Sequence, residues 1–331
     1  MSDYIRKDAK IFVAGHRGLA GSAIVRKLRS LGYENLLLRS RQELDLEDFD
    51  AVTRFFCEQR PEFVFLAAAK VGGILANRDF PADFIARNLR IQSNVIENAH
   101  RTQVNRLLFL GSSCIYPKLA PQPISEDQLL AGPLEFTNRS YAVAKIAGIE
   151  MCWAFNRQYG TEYLAAMPTN LYGPGDNYDL ANSHVLPALI RKVHEAKQSG
   201  QRTLTVWGTG RPMREFLYSD DMADACVFLL NLPKDEFQRL TGNAALAPLV
   251  NVGSGSDLSI AELARTVCTV LQFDGEIVFD STKPDGTPRK LMDSSRLFGY
   301  GWRPKVSLEQ GIRSAYADFC AAEANRQGVA R

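Results

Sequence analysis

Over its first 110 or so residues the chain alternates short apolar runs of β type with helical patterns, and few folds accommodate that order. IFVAG, NLLLRS, FVFLAAA and LLFLGSS read as strands, with helices expected over about 18–32, 47–59 and 82–101 between them. Strands that are apolar on both faces and joined by helix-length connections form a parallel sheet covered by helices on both sides. A long helical pattern from Tyr141 to Tyr159 and the strand-like YLAAMPTNLYG complete this half.

The first strand runs straight into Gly15-His16-Arg17-Gly18-Leu19-Ala20-Gly21, which opens the first helix. Glycines there let the backbone turn tightly and approach a pyrophosphate, and the helix start offers free N–H groups. The spacing is GxxGxxG, a dinucleotide-type turn whose bland alternative is a strand-to-helix turn that holds no ligand. After the second strand, where a carboxylate would hold an unmodified ribose, the chain reads Leu38-Arg39-Ser40-Arg41. Each arginine alone reads as a solvated charge. Arg17, Arg39 and Arg41 together favour a 2′-phosphate, and so NADP(H) over NAD.

These features predict an α/β protein: a Rossmann-type doubly wound parallel sheet with a smaller C-terminal α/β substrate-binding lobe. The NADP-binding domain is expected over residues 1–173, with returns near 216–232 and 249–253, because EFLYSDDMADACVFLL and LVNVGSG resemble elements of the main sheet. The remaining segments of 174–331 form the second lobe; the boundary is soft, and residues 234–250 receive no role.

Lys and Arg number 39 against 37 Asp and Glu, a balance too even to point to nucleic acid or a membrane surface as partner. The six cysteines are scattered, with no CxxC pair and no histidine at metal-ligand spacing, which fits a reducing cytoplasm and no metal site. The start MSDYIRKDAK carries no signal-type apolar region and no later run approaches membrane-spanning length, so a cytoplasmic protein is expected.

Tyr141 and Lys145 stand four residues apart, hence on one helix face, where an ammonium can favour tyrosinate and lower the phenol pKa. Ser112 and Ser113 follow a strand whose carboxyl end is the ligand-binding edge of an open α/β sheet. A tuned Tyr and a Ser hydroxyl can exchange a proton with, and polarise, the same carbonyl during hydride transfer.

Glycine turn, Ser and YxxxK in this order resemble the extended short-chain dehydrogenase/reductase family. More narrowly, AGHRGLAGSAI, LAAAKVGGILAN, LGSSCIYPKLA, YAVAKIAG, PTNLYGP, NSHVLPAL, VWGTGRPMREFL and KPDGTPRKL resemble the family of GDP-L-fucose synthases, nearly end to end. That resemblance implies a substrate, GDP-4-keto-6-deoxy-D-mannose, and two activities, 3,5-epimerisation and reduction at carbon 4.

On residue type alone Cys114 is a small buried residue and His184 a capping or packing one. The resemblance implies that they are the base and acid of epimerisation, beside Ser112, Tyr141 and Lys145. It also implies that Ala68, Lys70, Leu110, Gly111, Ser113, Pro168, Thr169, Asn170, Leu171 and His184 line the cofactor. Lys192, Trp207, Arg214 and Asp285 are implied at the substrate, Arg214 as a diphosphate ligand, although Lys192 also reads as a helix-face charge, Trp207 as a core aromatic and Asp285 as a turn residue. A homodimer built on the helices near 82–101 and 141–159 is expected from the same source.

Two other readings compete. Another sugar-nucleotide epimerase or dehydratase of the same fold is one, but a dehydratase would carry an acidic pair beside Ser112, where Ser113 and Cys114 stand. The second, a non-catalytic NADP-binding regulator, has little reason to keep all five reactive side chains.

Overall fold

The computed structural model describes residues 4–180, 183–283 and 285–329; Asn182 of the NSHV motif and Pro284 of KPDG lie outside the described residues. The first half runs β1 (Ile11–Ala14), α1 (Leu19–Ser30), β2 (Leu36–Leu37), α2 (Phe49–Gln59), β3 (Phe63–Leu66), α3 (Ile74–Asp79), α4 (Pro81–Arg101), β4 (Arg106–Leu110), α5 (Arg139–Tyr159) and β5 (Tyr163–Pro168). Then come β6 (Asn170–Tyr172), α6 (Val185–Ser199), β7 (Thr203–Trp207), β8 (Met213–Tyr218), α7 (Ser219–Leu230), α8 (Lys234–Thr241) and β9 (Leu249–Val252). The chain closes with β10 (Asp257–Ser259), α9 (Ile260–Val270), β11 (Glu276–Asp280), β12 (Arg289–Lys290), α10 (Ser295–Gly299) and α11 (Leu308–Val329).

Six parallel strands in the order β2-β1-β3-β4-β5-β9 make the main sheet. The order reverses at β1, which leaves a crevice at the carboxyl ends of β1 and β3, where ligands of such sheets bind. All residues of β1, β3, β4, β5 and β9 are buried, which is why their sequences read as continuous runs rather than alternations. Helices α1 and α7 close one face, and α2, α4 and α5 the other. Two smaller sheets, β10-β8-β12 with β6 beside β8, and β11-β7, pack with α6, α9 and α11 around a separate core. No helix among the described residues is long and apolar enough to cross a membrane.

Two segments divide where the sequence read as continuous. YLAAMPTNLYG breaks at Thr169: its N–H makes a last bond to Val252 O at 3.1 Å, and Asn170 then enters the second sheet opposite Phe216. EFLYSDDMADACVFLL divides likewise, for EFLY pairs within β8 of the second sheet, with Leu217 reaching the main core, while α7 packs on the main sheet. The cause is pairing: β8 is bonded along its length by β6, β10 and β12, leaving no free edge for the main sheet.

The entry to α1 is the tightest joint. A Cβ on Gly21 would collide with Gly15 O and stand 2.6 Å from Gly15 C, both backbone atoms that cannot swing aside. Gly21→Ala is therefore expected to cost ~1–3 kcal/mol of stability and to weaken NADPH binding, read as a lower urea midpoint and a higher dissociation constant. An unchanged midpoint would mean that α1 withdraws from β1 freely.

Candidate active site

The turn after β1 is made of backbone contacts that side chains would prevent. Gly15 has φ +84°, and a Cβ there would lie 2.7 Å from the N of Ala68, the first site residue after β3. Gly18, the N-cap of α1, places no side-chain cap on the free N–H groups of Leu19, Ala20 and Gly21. An uncapped helix start facing a bare turn is a cradle for an anion.

Beside it, His16 is half-buried with its Nδ1 enclosed and lacking a hydrogen-bond partner. Loss of water and then the Arg17 guanidinium hold its pKa below the ordinary histidine value. Glu43 lies within electrostatic reach of Arg39 and Arg17, and hydrogen bonds from Ser40 keep its carboxyl below the usual range. Arg39 donates to Leu38 O at 3.0 Å and lies over the Phe55 ring. Arg41 pairs with Glu47 at 3.0 Å and Asp45 at 3.5 Å, and Glu47 also holds Arg87 and Arg90 of α4.

The cofactor fits this ground: a glycine cradle that a Cβ would fill, an orphaned histidine nitrogen and exposed Arg17 together suit a pyrophosphate and a 2′-phosphate. Glu43, Glu47 and Asn88 were not singled out from the sequence. Asn88 of α4, 2% exposed, clamps the loop after β3 by accepting from Lys70 N at 2.8 Å and donating to Lys70 O at 3.0 Å. Nothing local marks it, because the partner is 18 residues away.

At the end of β4 the reactive groups gather. Gly111 N donates to Ala166 O at 2.9 Å, and a Cβ on Gly111 would strike Met167, so β4 and β5 stay closely paired into the site. Ser112 is extended and caps the short turn Ser113–Ile115, its Oγ accepting from Cys114 N at 3.4 Å. Its hydroxyl also lies near the Tyr141 phenol and the Cys114 thiol and favours the ionised form of each. Ser113 and Cys114 are buried.

Lys145, 3% exposed, donates to Leu110 O at 2.7 Å and lies 5.8 Å from the centre of the Tyr141 ring. The expectation that it lowers the phenol pKa is not met. Burial and then the neighbouring thiol push Tyr141 well above its ordinary value, while Ser112 pulls the other way. The ammonium is committed to a carbonyl, and burial lowers its own pKa to about 8.

The Cys114 thiol is raised by burial, against the pull of Lys290, Ser112 and Lys145. His184, the N-cap of α6, opens to solvent on one side; loss of water and then the Lys290 ammonium hold it below the ordinary histidine value. Thiol, phenol, hydroxyl, imidazole and ammonium thus share one electrostatic neighbourhood. Lys290 joins it from β12, a cation the sequence left unmarked inside KPDGTPRKL; its strand partner Arg214 could have flagged it only through a pairing 76 residues apart.

The other expected residues fall in three places. Arg214 donates to Met213 O at 2.8 Å and feels the charge of Asp285, whose carboxylate accepts from Thr209 N at 2.9 Å and Thr209 Oγ1 at 2.7 Å. Lys192 lies 5.3 Å from the centre of the Trp207 ring, with Lys283, also missed, at 5.6 Å. Trp207 is 56% exposed, so it is no core aromatic. Pro168 ends β5, Thr169 and Asn170 direct their side chains to Glu215 O, and Leu171 packs on the core.

Residues 11–243 match the model of the NAD dependent epimerase/dehydratase family. GDP-L-fucose synthase 1 of Arabidopsis thaliana is 56% identical over 98% of this chain and 97% of its own length. The GDP-L-fucose synthase of Escherichia coli (strain K12) is 53% identical over 94% and 96%. A GDP-L-fucose synthetase from Naegleria fowleri bound to NADP superposes with a TM-score of 0.86 at 28% identity, over 97% of this chain and 95% of that one. The chain belongs to the NAD dependent epimerase/dehydratase family and, within it, to the branch of the GDP-L-fucose synthases.

Proposed function

We propose that the chain converts GDP-4-keto-6-deoxy-D-mannose to GDP-L-fucose by 3,5-epimerisation and NADPH-dependent reduction of the 4-keto group. The observation that carries this is the neighbourhood at the end of β4, where an ionisable thiol, a protonated phenol and a buried ammonium sit beside a glycine cradle for the dinucleotide. The identity of more than half to named GDP-L-fucose synthases selects the substrate. We further propose a cytoplasmic homodimer built on α4 and α5, which pack side by side and leave Val143 and Tyr159 of α5 exposed.

NADPH, held by the Gly15–Gly21 turn, Arg17 and Arg39, supplies the hydride. Around the carbonyl at carbon 4, Ser112 and Tyr141 donate hydrogen bonds to the oxygen, which acidifies the protons on carbons 3 and 5. Cys114, as thiolate, removes such a proton, and His184 returns one to the opposite face. Burial keeps Tyr141 protonated at neutral pH, so its proton is in place when reduction forms the alkoxide. Lys145, charged below its pKa of about 8, steadies the phenolate left behind. Lys192 and Arg214 meet the diphosphate, and Trp207 offers an open face to the base.

Mixing the protein with NADPH and GDP-4-keto-6-deoxy-mannose is expected to consume NADPH, seen as absorbance loss. Tyr141→Phe should lower turnover by ~100-fold or more with NADPH binding intact; undiminished turnover would remove its role as proton donor. Cys114→Ser should suppress solvent-deuterium exchange at carbons 3 and 5 while sparing NADPH binding. Normal exchange in that variant would overturn the assigned base.

The pH dependences of the two steps should diverge. Lys145 loses its charge as the pH passes about 8, so kcat/KM for reduction is expected to fall there. Because the thiol pKa is raised, each unit by which the pH rises towards it brings ~tenfold more thiolate, and deuterium exchange should climb over the same interval. Parallel profiles for exchange and reduction would show that one group limits both.

A further inference from the structure

Glu215 is the fully buried side chain in β8 that follows Arg214, and no Lys or Arg pairs with it among the described residues. Its carboxylate instead accepts from three donors: Gly255 N at 2.8 Å, Met292 N at 3.1 Å and Ser254 Oγ at 3.4 Å. Its own carbonyl accepts from Thr169 Oγ1 at 3.2 Å and Asn170 Nδ2 at 2.8 Å, at the point where the chain leaves the main sheet for the second. Four segments therefore meet on this residue: β8, the exit of β9, the turn between β5 and β6, and the chain just past β12.

The last of these matters most. Strand β12 is two residues long and sets Lys290 beside Arg214, so two like-charged side chains are placed as neighbours by a short ladder. Mutual repulsion acts to spread such a pair. The Met292 N–H bond to Glu215 anchors β12 two residues beyond Lys290. Glycine at 253 is required for this, since a Cβ there would collide with the carboxylate and stand 2.8 Å from its Cδ.

We infer that Glu215 is a positioning residue that sets the spacing of the Arg214–Lys290 cation pair against the thiol side of the site, and thereby the grip on the substrate diphosphate. This rests on the functional reading above. Charge and geometry pull in opposite directions here, which gives the test its discrimination. Glu215→Gln removes a negative charge one residue along β8 from Arg214, so electrostatics alone would leave an anion held at least as tightly. It also turns an amide N–H₂ towards one of two backbone donors, so lost positioning weakens the anion.

Calorimetry of the whole protein with GDP as probe is expected to show about tenfold weaker binding for Glu215→Gln, with the NADPH dissociation constant within about twofold of the parent. Glu215→Asp, which keeps the charge but shortens the reach, should fall between. Gly253→Ala, which displaces the carboxylate from the other side, should repeat the pattern and decides the matter if Glu215→Gln does not fold. Tighter or unchanged GDP binding, or equal losses for GDP and NADPH, would overturn the inference in favour of a charge effect or general loosening. Because GDP binding needs no turnover, failure of the proposed reaction in the parent protein would appear separately, as absent NADPH consumption with these affinities still measurable.

Discussion

Removal of water from ionisable groups is the constraint on which the rest of this structure depends. Lys145, Cys114, Tyr141, Lys290 and Glu215 are all shifted towards their neutral forms with burial as the largest cause. Such groups oppose folding by several kcal/mol each when uncompensated; here Lys145 meets a carbonyl, Tyr141 and Cys114 the Ser112 hydroxyl, and Glu215 backbone N–H groups, while Lys290 feels Glu135. The apolar six-stranded sheet offsets that penalty. Its core strands are buried on both faces and closed by helices, so the site sits at the rim of a rigid support rather than on a loop of its own.

Rigidity is passed to the site by close backbone approaches. Gly15 lies against Ala68, Gly21 against Gly15, and Gly111 against Met167, each leaving no room for a side chain. The first two bring β1, β3 and α1 to a common point, and the third keeps β4 in step with β5. Phe84 then abuts Tyr141 edge-on at 6.1 Å, so the loop clamp at Asn88 and the catalytic helix share one helix, α4, as their wall.

Much of this was legible because the signals are local. Period and apolar runs marked β1, β3, β4, α4 and α5, and the glycine turn and YxxxK carry their chemistry within a few residues. What escaped depends on distance along the chain. Glu43, Asn88, Lys290 and Glu215 take their meaning from partners on other elements, and Lys290 acquires its neighbour only when β12 finds β8. The division of YLAAMPTNLYG was hidden because β5 and β6 are both strands, and only the second sheet reveals that they pair differently. The phenol's pKa was misjudged because i, i+4 spacing tells which residues are near but not how much water surrounds them.

On the reading proposed above, the cation pair is what lets an almost neutral chain hold a doubly charged diphosphate. A net charge of +2 spread over 331 residues attracts little. Arg214 and Lys290 concentrate two positive charges on adjacent strand positions, with burial lowering both pKa values and the Arg214 guanidinium lowering that of Lys290 further. A pair held against its own repulsion is stabilised by any anion that enters between them, so part of the strain that opposes folding becomes affinity. The same ammonium reaches Cys114 and His184, and an anion bound there screens it. Substrate entry would then raise the thiol pKa and the histidine pKa together, coupling the basicity of both epimerisation groups to the presence of the diphosphate.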